Sequence, residues 1–317
     1  MNRNYYKLII IILLLTVNCL LFSIPCNAHF PEGQVYLAYN FGNITPTIDG
    51  REDDWSKVGP SYTINTEDMY EVLAGMGKLG SGVDLSDFAL QMKVGWSSVT
   101  NSIYVFAKVY DDVHIVNKPP GILGWGTAQD GIVLYIDADH SGGKYSLFNG
   151  AGYTAEDSYR YENSQAQSPE FSYPNLDGIN QCVTTMATWY YEPGSPFMES
   201  AFTYNGISNG AGTTTYEIRM GPLFDDLYWL GLDNSKTHTL KQNEIFGFGI
   251  ELFDYDTPTY WDDLVWSKMI FPKHKDWNLN GQMKAIADAS YFSDFLLSPP
   301  EVSVNNTSWG RIKASFR

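Results

Sequence analysis

The sequence predicts an all-β protein, an antiparallel β-sandwich with one short helix and long loops. Three observations lead there. Runs of alternating apolar and polar residues recur along the chain, a two-residue period that sends every second side chain to one face of a strand. Val, Ile, Tyr, Phe and Thr fill these runs, and such side chains suit a pleated, half-buried surface. Gly, Asn and Pro punctuate them, while helical periodicity is scarce. Several strands separated by turn signals read as two packed sheets.

In chain order, residues 1–28 stand apart as an export leader. Arg3 and Lys7 give a positive start, "LIIIILLLTV" (8–17) and "LLFSI" (20–24) an apolar stretch, and Ala28 closes a site for cleavage. The expected location is therefore secreted or periplasmic. Residues 29–294 are expected to form the sandwich domain, and 295–317, with "LLSPPEVSVNNTSW", a C-terminal tail. "NITPTIDGREDDWSKVGP" (43–60) sets a tight turn, Ile48-Asp49-Gly50, ahead of a solitary Trp55. "TEDMYEVLAGMG" (66–77) is the best helix, with Thr66 as its cap and Glu67 and Asp68 in its first turn.

"ALQMKVGW" (89–96) and "SIYVFAKVYDD" (102–112) flank "SSVTN" as a hairpin in which Ile103, Val105, Ala107 and Val109 share one face. "DGIVLYIDAD" (130–139) is apolar enough for the middle of a sheet. "TTTYEIRM" (213–220) is stopped by Gly221 and Pro222. "IFGFGIELFDYD" (245–256) carries Gly247 and Gly249, which spare bulk where another backbone passes close. "DLVWSKMIF" (263–271) is a sixth strand. Residues 140–212 read as long loops with a hairpin around "CVTTMATWYY".

Cleavage after Ala28 leaves 289 of 317 residues and, with Arg3 and Lys7 removed, shifts the formal charge from −16 to −18. Nucleic acid and anionic membranes are poor partners for such a chain, and no membrane insertion of the mature chain is expected. Of three cysteines only Cys182 remains, so no intrachain disulfide forms and a monomer must rely on its core. Cys182 itself reads as a small buried hydrophobe. Charged residues make up 18% and aromatics 15%, with 22 Tyr and 9 Trp. Polar aromatics in that excess suit stacking on neutral polar ligands, sugars above all.

The signposts also come in a telling order. Ile48-Asp49-Gly50 with Trp55 precedes Trp96, in a hairpin ending at Asp111-Asp112. Trp125 precedes Gln129-Asp130 and the strand reaching Ile136-Asp137. "TYEIRM" and "GFGIELFDYD" follow, then Trp266 in "LVWSK", then Trp277 followed by "NGQM". From about Ile48 to Ala285 this order resembles the family 9 carbohydrate-binding modules and their sugar-binding relatives, DOMON-like or immunoglobulin-like jelly-roll sandwiches. The resemblance implies that Asp49-Gly50 turns the first strand and that Trp55 packs under the sandwich as a core residue. Trp96 and Trp266, inside alternating strands, read the same way.

Trp125 and Trp277 instead lie in the loop segments "GILGWGTAQDG" and "KHKDWNLNG". By the resemblance they clamp a mono- or oligosaccharide end between their rings, burying the axial C–H faces of a pyranose while polar groups meet its rim. Arg160, in "AEDSYRY", stands where the family has an arginine, and Glu251 where it has an amide. Two departures accompany this. Val133 replaces a glutamate that bonds the sugar, and the Trp125 loop is two residues longer. The implied function is that of a non-catalytic carbohydrate-binding protein supporting polysaccharide recognition or breakdown.

"DADHSGG" (137–143) sets Asp137, Asp139 and Ser141 at alternate positions before Gly142, the opening of a calcium loop. The closing glutamate is absent, with Phe148 in its place, so Ca2+ and a solvated acidic turn stand side by side as readings. Asp225-Asp226, Asp254/Asp256 and Asp262-Asp263 read as solvated or turn-forming. No Gly-x-Ser-x-Gly, His-Glu-x-x-His or Cys-x-x-Cys occurs, so no catalytic constellation is visible. His29, His114, His140, His238 and His274 lack ligand spacing, which disfavours zinc. Two alternatives stay open. One is a haem b-binding subunit of an exported redox enzyme, with Met69, Met76, Met92, Lys108 or Lys118 as ligands. The other is a structural or adhesion module.

Overall fold

The computed structural model describes residues 35–68, 70–74, 85–115, 130–145, 164–172, 181–182, 187–191, 195–207, 209–256, 264–269 and 288–300. The strands are β1 Val35–Asn40, β2 Thr63–Asn65, β3 Tyr70–Ala74, β4 Phe88–Ser97, β5 Ser102–Asp111, β6 Gly131–Asp137, β7 Pro169–Ser172 and β8 Gln181–Cys182. They continue with β9 Met198–Gly206, β10 Gly212–Met220, β11 Phe224–Asp226, β12 Lys236–Thr237, β13 Ile245–Tyr255, β14 Leu264–Met269 and β15 Ser293–Leu297. All six strands expected from alternation are present. The α-helix among the described residues is α1, Thr188–Tyr191. No helix among the described residues is long and apolar enough to cross a membrane.

One layer runs β8-β7-β6-β13-β15-β1 and the other β1-β4-β5-β10-β9, with β2 on β4. The two layers share β1. Its first half, Val35 to Ala38, pairs with β15, and its second half, Tyr39 and Asn40, passes to β4. Both of those pairings are parallel, so the mostly antiparallel sandwich is mixed at β1. β14 extends the end of β13 and carries β3 on its far side.

Alternation fills the space between the layers. Leu90, Met92, Val94 and Trp96 of β4, Ile103, Val105, Ala107 and Val109 of β5, and Tyr216, Ile218 and Met220 of β10 point inward from one layer. Ile132, Leu134 and Ile136 of β6, Phe246, Phe248, Ile250 and Leu252 of β13, and Phe295 and Leu297 of β15 meet them from the other. All seven residues of β6 are buried, which matches its place between β7 and β13.

A second core lies on the outer face of the β4–β5 layer, formed by Tyr39, Phe41, Trp55, Val58, Tyr62, Tyr104 and Phe106. Trp55 is fully buried there, and its Nε1 donates to Glu217 Oε1 at 2.9 Å. The amides of Asp49 and Gly50 donate to Oε2 of the same carboxylate at 2.9 and 3.0 Å. Gly50 has φ +76, and a Cβ on it would lie 2.7 Å from the Phe202 carbonyl carbon. The acidic turn and the tryptophan thus belong to one knot around Glu217. Burial pushes that carboxyl above its usual range, against the N–H donors that pull it down.

Three expectations are corrected. The helix over 66–77 is one 3-10 turn, Thr66–Asp68, followed by strand β3. Thr66 does not cap a helix. Its hydroxyl accepts from the Leu90 amide at 2.8 Å and lies 3.2 Å from the Leu90 carbonyl, and the edge of β14 takes the next residues as a partner. The hairpin around "CVTTMATWYY" is half right. Gln181 and Cys182 pair with β7, but "TWYY" is α1, where Trp189 and Tyr190 pack edge-on against Phe224. Finally, the expected tail from 295 begins inside β15, a strand flanked by β13 and β1. The leader 1–28 and residues beyond 300 lie outside the described residues.

Candidate functional site

Because Ile132, Leu134 and Ile136 face the core, Val133, Tyr135 and Asp137 face the other side of their sheet. The same logic puts Glu251 on that side of β13 and Glu170 on that side of β7. Register then aligns them: Glu251 pairs with Val133, and Val133 with Glu170. A carboxylate, a valine and a carboxylate therefore stand in one row across three strands, with direct neighbours about 5 Å apart at Cβ.

Glu251 and Val133 are fully buried in this row. The Tyr135 hydroxyl donates to Glu251 Oε2. Burial drives the Tyr135 phenol well above its ordinary range, and the charges of Glu251 and Glu170 with the neighbouring Tyr145 add to it. Tyr135 is therefore a fixed proton donor. Tyr145 and Phe292 pack around its ring at 6.5 and 5.8 Å, holding it in place. Of the predicted sugar-contacting residues, Glu251 lies on this face. Trp125, Trp277 and Arg160 lie outside the described residues.

At the far end of β6, the predicted calcium ligands build a turn. Asp137 is buried, and its Oδ2 accepts from the Gly142 amide at 2.8 Å. Asp139 Oδ1 accepts from the Ser141 amide at 3.2 Å, and Ser141 Oγ accepts from Gln165 Nε2 at 3.1 Å. Gly142, at φ +64, makes room for Ser290, whose Oγ receives the Gly143 amide at 2.7 Å. Burial pushes the Asp137 carboxyl up to about 7, opposed by the Gly142 amide and reinforced by Asp139.

The near end of β6 holds a constellation that sequence reasoning missed. Asp111, His114 and Asp130 are all buried and bring one donor atom each within 4.8 Å of one another. Asp111 with Asp254 and Asp256, and Asp87 with Asp112 and Asp256, form two further groups of the same kind. The two groups that share Asp111 are mostly buried and the Asp87 group lies partly exposed; each could hold a metal ion, and oxygen-rich donors suit a hard divalent cation. Asp254 is 2% exposed, which corrects its reading as a solvated loop residue.

His114 Nδ1 lies 3.1 Å from Asp130 Oδ2 and 3.9 Å from Asp111 Oδ2, and its ring stacks on Tyr204 at 4.7 Å. Burial, with Asp130 adding, pushes the Asp111 carboxyl up to about 8. The available signal was "DDVH" at the end of one strand with an aspartate opening the next. Histidine spacing alone could not show it, because β5 and β6 are joined by a long segment.

The haem ligands proposed from sequence do not converge where they are described. Met92 is buried in the core between the layers. Lys108 points outward and pairs with Glu52 at 3.5 Å. Met69, Met76 and Lys118 lie outside the described residues.

No protein-family model matches the chain, and no curated protein matches it. Among solved structures, the fold is similar to a family 9 carbohydrate-binding module from Caldicellulosiruptor kristjanssonii in complex with cellotriose. That pair shares 14% identity, covers 85% of this chain and 96% of the other, and has a TM-score of 0.43. The module from the same organism in complex with glucose gives 14% identity, 86% and 98% coverage and a TM-score of 0.44. The likeness is one of fold.

Proposed function

We propose that the chain is an exported, non-catalytic carbohydrate-binding module that holds a sugar against the outer face of the β6–β13 sheet. The observation that carries this reading is the row across three strands, in which Glu170 keeps partial exposure while Glu251, fully buried and held by the Tyr135 hydroxyl, anchors the row in register with Val133. Hydroxyls at a pyranose rim are donors, and a face built of carboxylate acceptors receives them. Trp125 and Trp277 clamp the two faces of the ring in this reading, and Arg160 supplies a donor at the rim. Val133 leaves one rim hydroxyl without an acceptor, so affinity is modest. Calcium belongs to the same reading as a structural ion at Asp137, Asp139 and Ser141, doing no chemistry.

Titration with glucose and cellotriose, followed by tryptophan fluorescence, tests it. Trp125→Ala and Trp277→Ala should each cost roughly 2–4 kcal/mol of binding. Glu251→Ala should weaken binding and change which sugar is preferred. Variants of both tryptophans that bind an identified sugar as the parent does would refute the clamp.

A further inference from the structure

β11 and β12 form a small two-stranded sheet of their own, and His238 follows it directly. The residue is 7% exposed. Its Nδ1 lies 2.5 Å from Asp225 Oδ1 on β11, and its Nε2 lies 3.3 Å from Glu244 Oε2, just ahead of β13. The second contact is at ion-pair distance without the alignment of a hydrogen bond. Lys236 on β12 also reaches Asp225, at 2.8 Å on the other carboxylate oxygen. Asp226 and Asp139 act on Lys236 from further away. Among the described residues these are the charged groups that the ring meets, and Glu244 Oε2 also accepts from the Lys241 amide at 2.9 Å.

The backbone on either side is tied to three parts of the molecule. The His238 amide donates to the Leu223 carbonyl at 2.8 Å. Its carbonyl accepts from Asn101 Nδ2 at 2.7 Å, in the turn between β4 and β5. The Glu244 carbonyl accepts from the Leu297 amide on β15 at 2.8 Å, so Glu244 is anchored to the main sheet.

Two carboxylates on two ring nitrogens dictate which form of the ring fits. A neutral imidazole carries one N–H and one lone pair. It satisfies one carboxylate and turns the lone pair on the other. The doubly protonated ring carries an N–H on both sides and is attracted by both carboxylates. Lys236 can compensate Asp225 but does not reach Glu244 in this arrangement.

We propose that His238 is a proton-operated latch on the β11–β12 hairpin. Protonated, it ties Asp225 on the hairpin to Glu244 on the main sheet. Neutral, it lets one of them go, and this corner of the hairpin loses its charged tie to the main sheet, while Phe224 stays seated in the core and bonded to Gln167. The loop joining the two strands displays Leu230 and Leu232, 59% and 46% exposed, so the latch sets how firmly that apolar loop is presented. This inference does not depend on the sugar reading.

Hydrogen exchange of the whole chain, corrected for intrinsic rates, tests it at about pH 5.5 and about pH 8.5, the range over which imidazoles change charge. Protection of the His238 and hairpin amides should fall roughly tenfold or more at the higher pH. Protection across β5 and β10 should not change with it. Glu244→Gln replaces the carboxylate that demands the second proton, and should remove most of the pH dependence from the hairpin. His238→Gln should remove it too. If that variant does not fold, Glu244→Gln, at a partly exposed side chain, still decides the matter. Equal hairpin protection at both pH values in the parent would overturn the latch. So would a pH dependence in Glu244→Gln matching that of the parent.

Discussion

Trp55 distinguishes a core residue from a ligand platform most sharply. Its ring is fully buried, meets Phe41 edge-on at 5.1 Å and lies 5.7 Å from Phe106. A buried indole removes about 150–250 Å² from water, roughly 4–6 kcal/mol at about 25 cal/mol per Å². Relaxation of neighbours brings the usual cost of truncation to alanine down to about 3–5 kcal/mol. Glu217 adds to this. Removing the indole N–H takes the donor from Oε1, while Oε2 keeps the amides of Asp49 and Gly50, a loss of about 1–2 kcal/mol. Trp55→Ala should therefore cost roughly 4–7 kcal/mol, most of the stability of an ordinary domain. Trp55→Phe, which keeps much of the ring but not the N–H, should cost about 1.5–3 kcal/mol. Urea unfolding followed by far-ultraviolet circular dichroism measures both without relying on the deleted fluorophore. Sugar binding by folded Trp55→Phe should equal that of the parent. A Trp55→Ala protein within about 1 kcal/mol of the parent would refute the core assignment. So would a stable Trp55→Phe protein that fails to bind a sugar which the parent is found to bind.

Gly50→Ala should destabilise by about 1–3 kcal/mol in the same unfolding assay, because φ +76 and the Phe202 backbone 2.7 Å away both oppose a Cβ. Thr66→Val should cost about 1–3 kcal/mol, since the Leu90 amide loses its acceptor inside the fold. At acid pH, Asp225 supplies a measurable limb. Burial alone would raise its carboxyl, but hydrogen bonds from Lys236 and His238 hold it below its usual range. A lowered folded value contributes stability that is present above the unfolded value near ~3.9 and is lost as pH falls through the folded one. Asp225→Asn should flatten that limb in acid titrations followed by circular dichroism. Millimolar calcium should raise the melting temperature, and Asp139→Ala should abolish the rise. A rise that survives Asp139→Ala and disappears in Asp254→Asn would move the ion to the cluster at the other end of β6.

The strands that alternate strongly were legible because period two is a local property. Ile103, Val105, Ala107 and Val109 face the core for the reason their spacing gives. The helix over 66–77 failed because its cap and acidic first turn are local signals, while the competing partners are distant. Leu90 takes the Thr66 hydroxyl from 24 residues away, and β14 takes residues 70–74. β15 failed for a similar reason, as Ser293–Leu297 is too short to stand out and gains its place from β1 and β13. In the candidate site, the neighbourhood of Glu251 and Val133 was implied only by resemblance, since cross-strand register is not written in either strand alone. The Asp111, His114 and Asp130 group was unreadable because nothing in the sequence says that the end of β5, the start of β6 and the end of β13 converge.

Strand β6 explains why the chemistry gathers where it does. A strand buried on both faces has no solvent to receive polar groups, so they survive only with partners or at the ends. Its inner residues, Ile132, Leu134 and Ile136, are apolar, as the core requires. Its outer face carries Val133 and Tyr135, and the one polar atom there, the Tyr135 hydroxyl, is committed to Glu251. The aspartates stand at its ends, Asp130 among the clustered acids and Asp137 in the Gly142 turn. Substituting an acid for Val133 would therefore place a third carboxylate between Glu251 and Glu170, in direct register with both. Repulsion in so dry a row would force one of the three to keep its proton. Val133 thus keeps the carboxyl groups of Glu251 and Glu170 apart at the centre of the sheet.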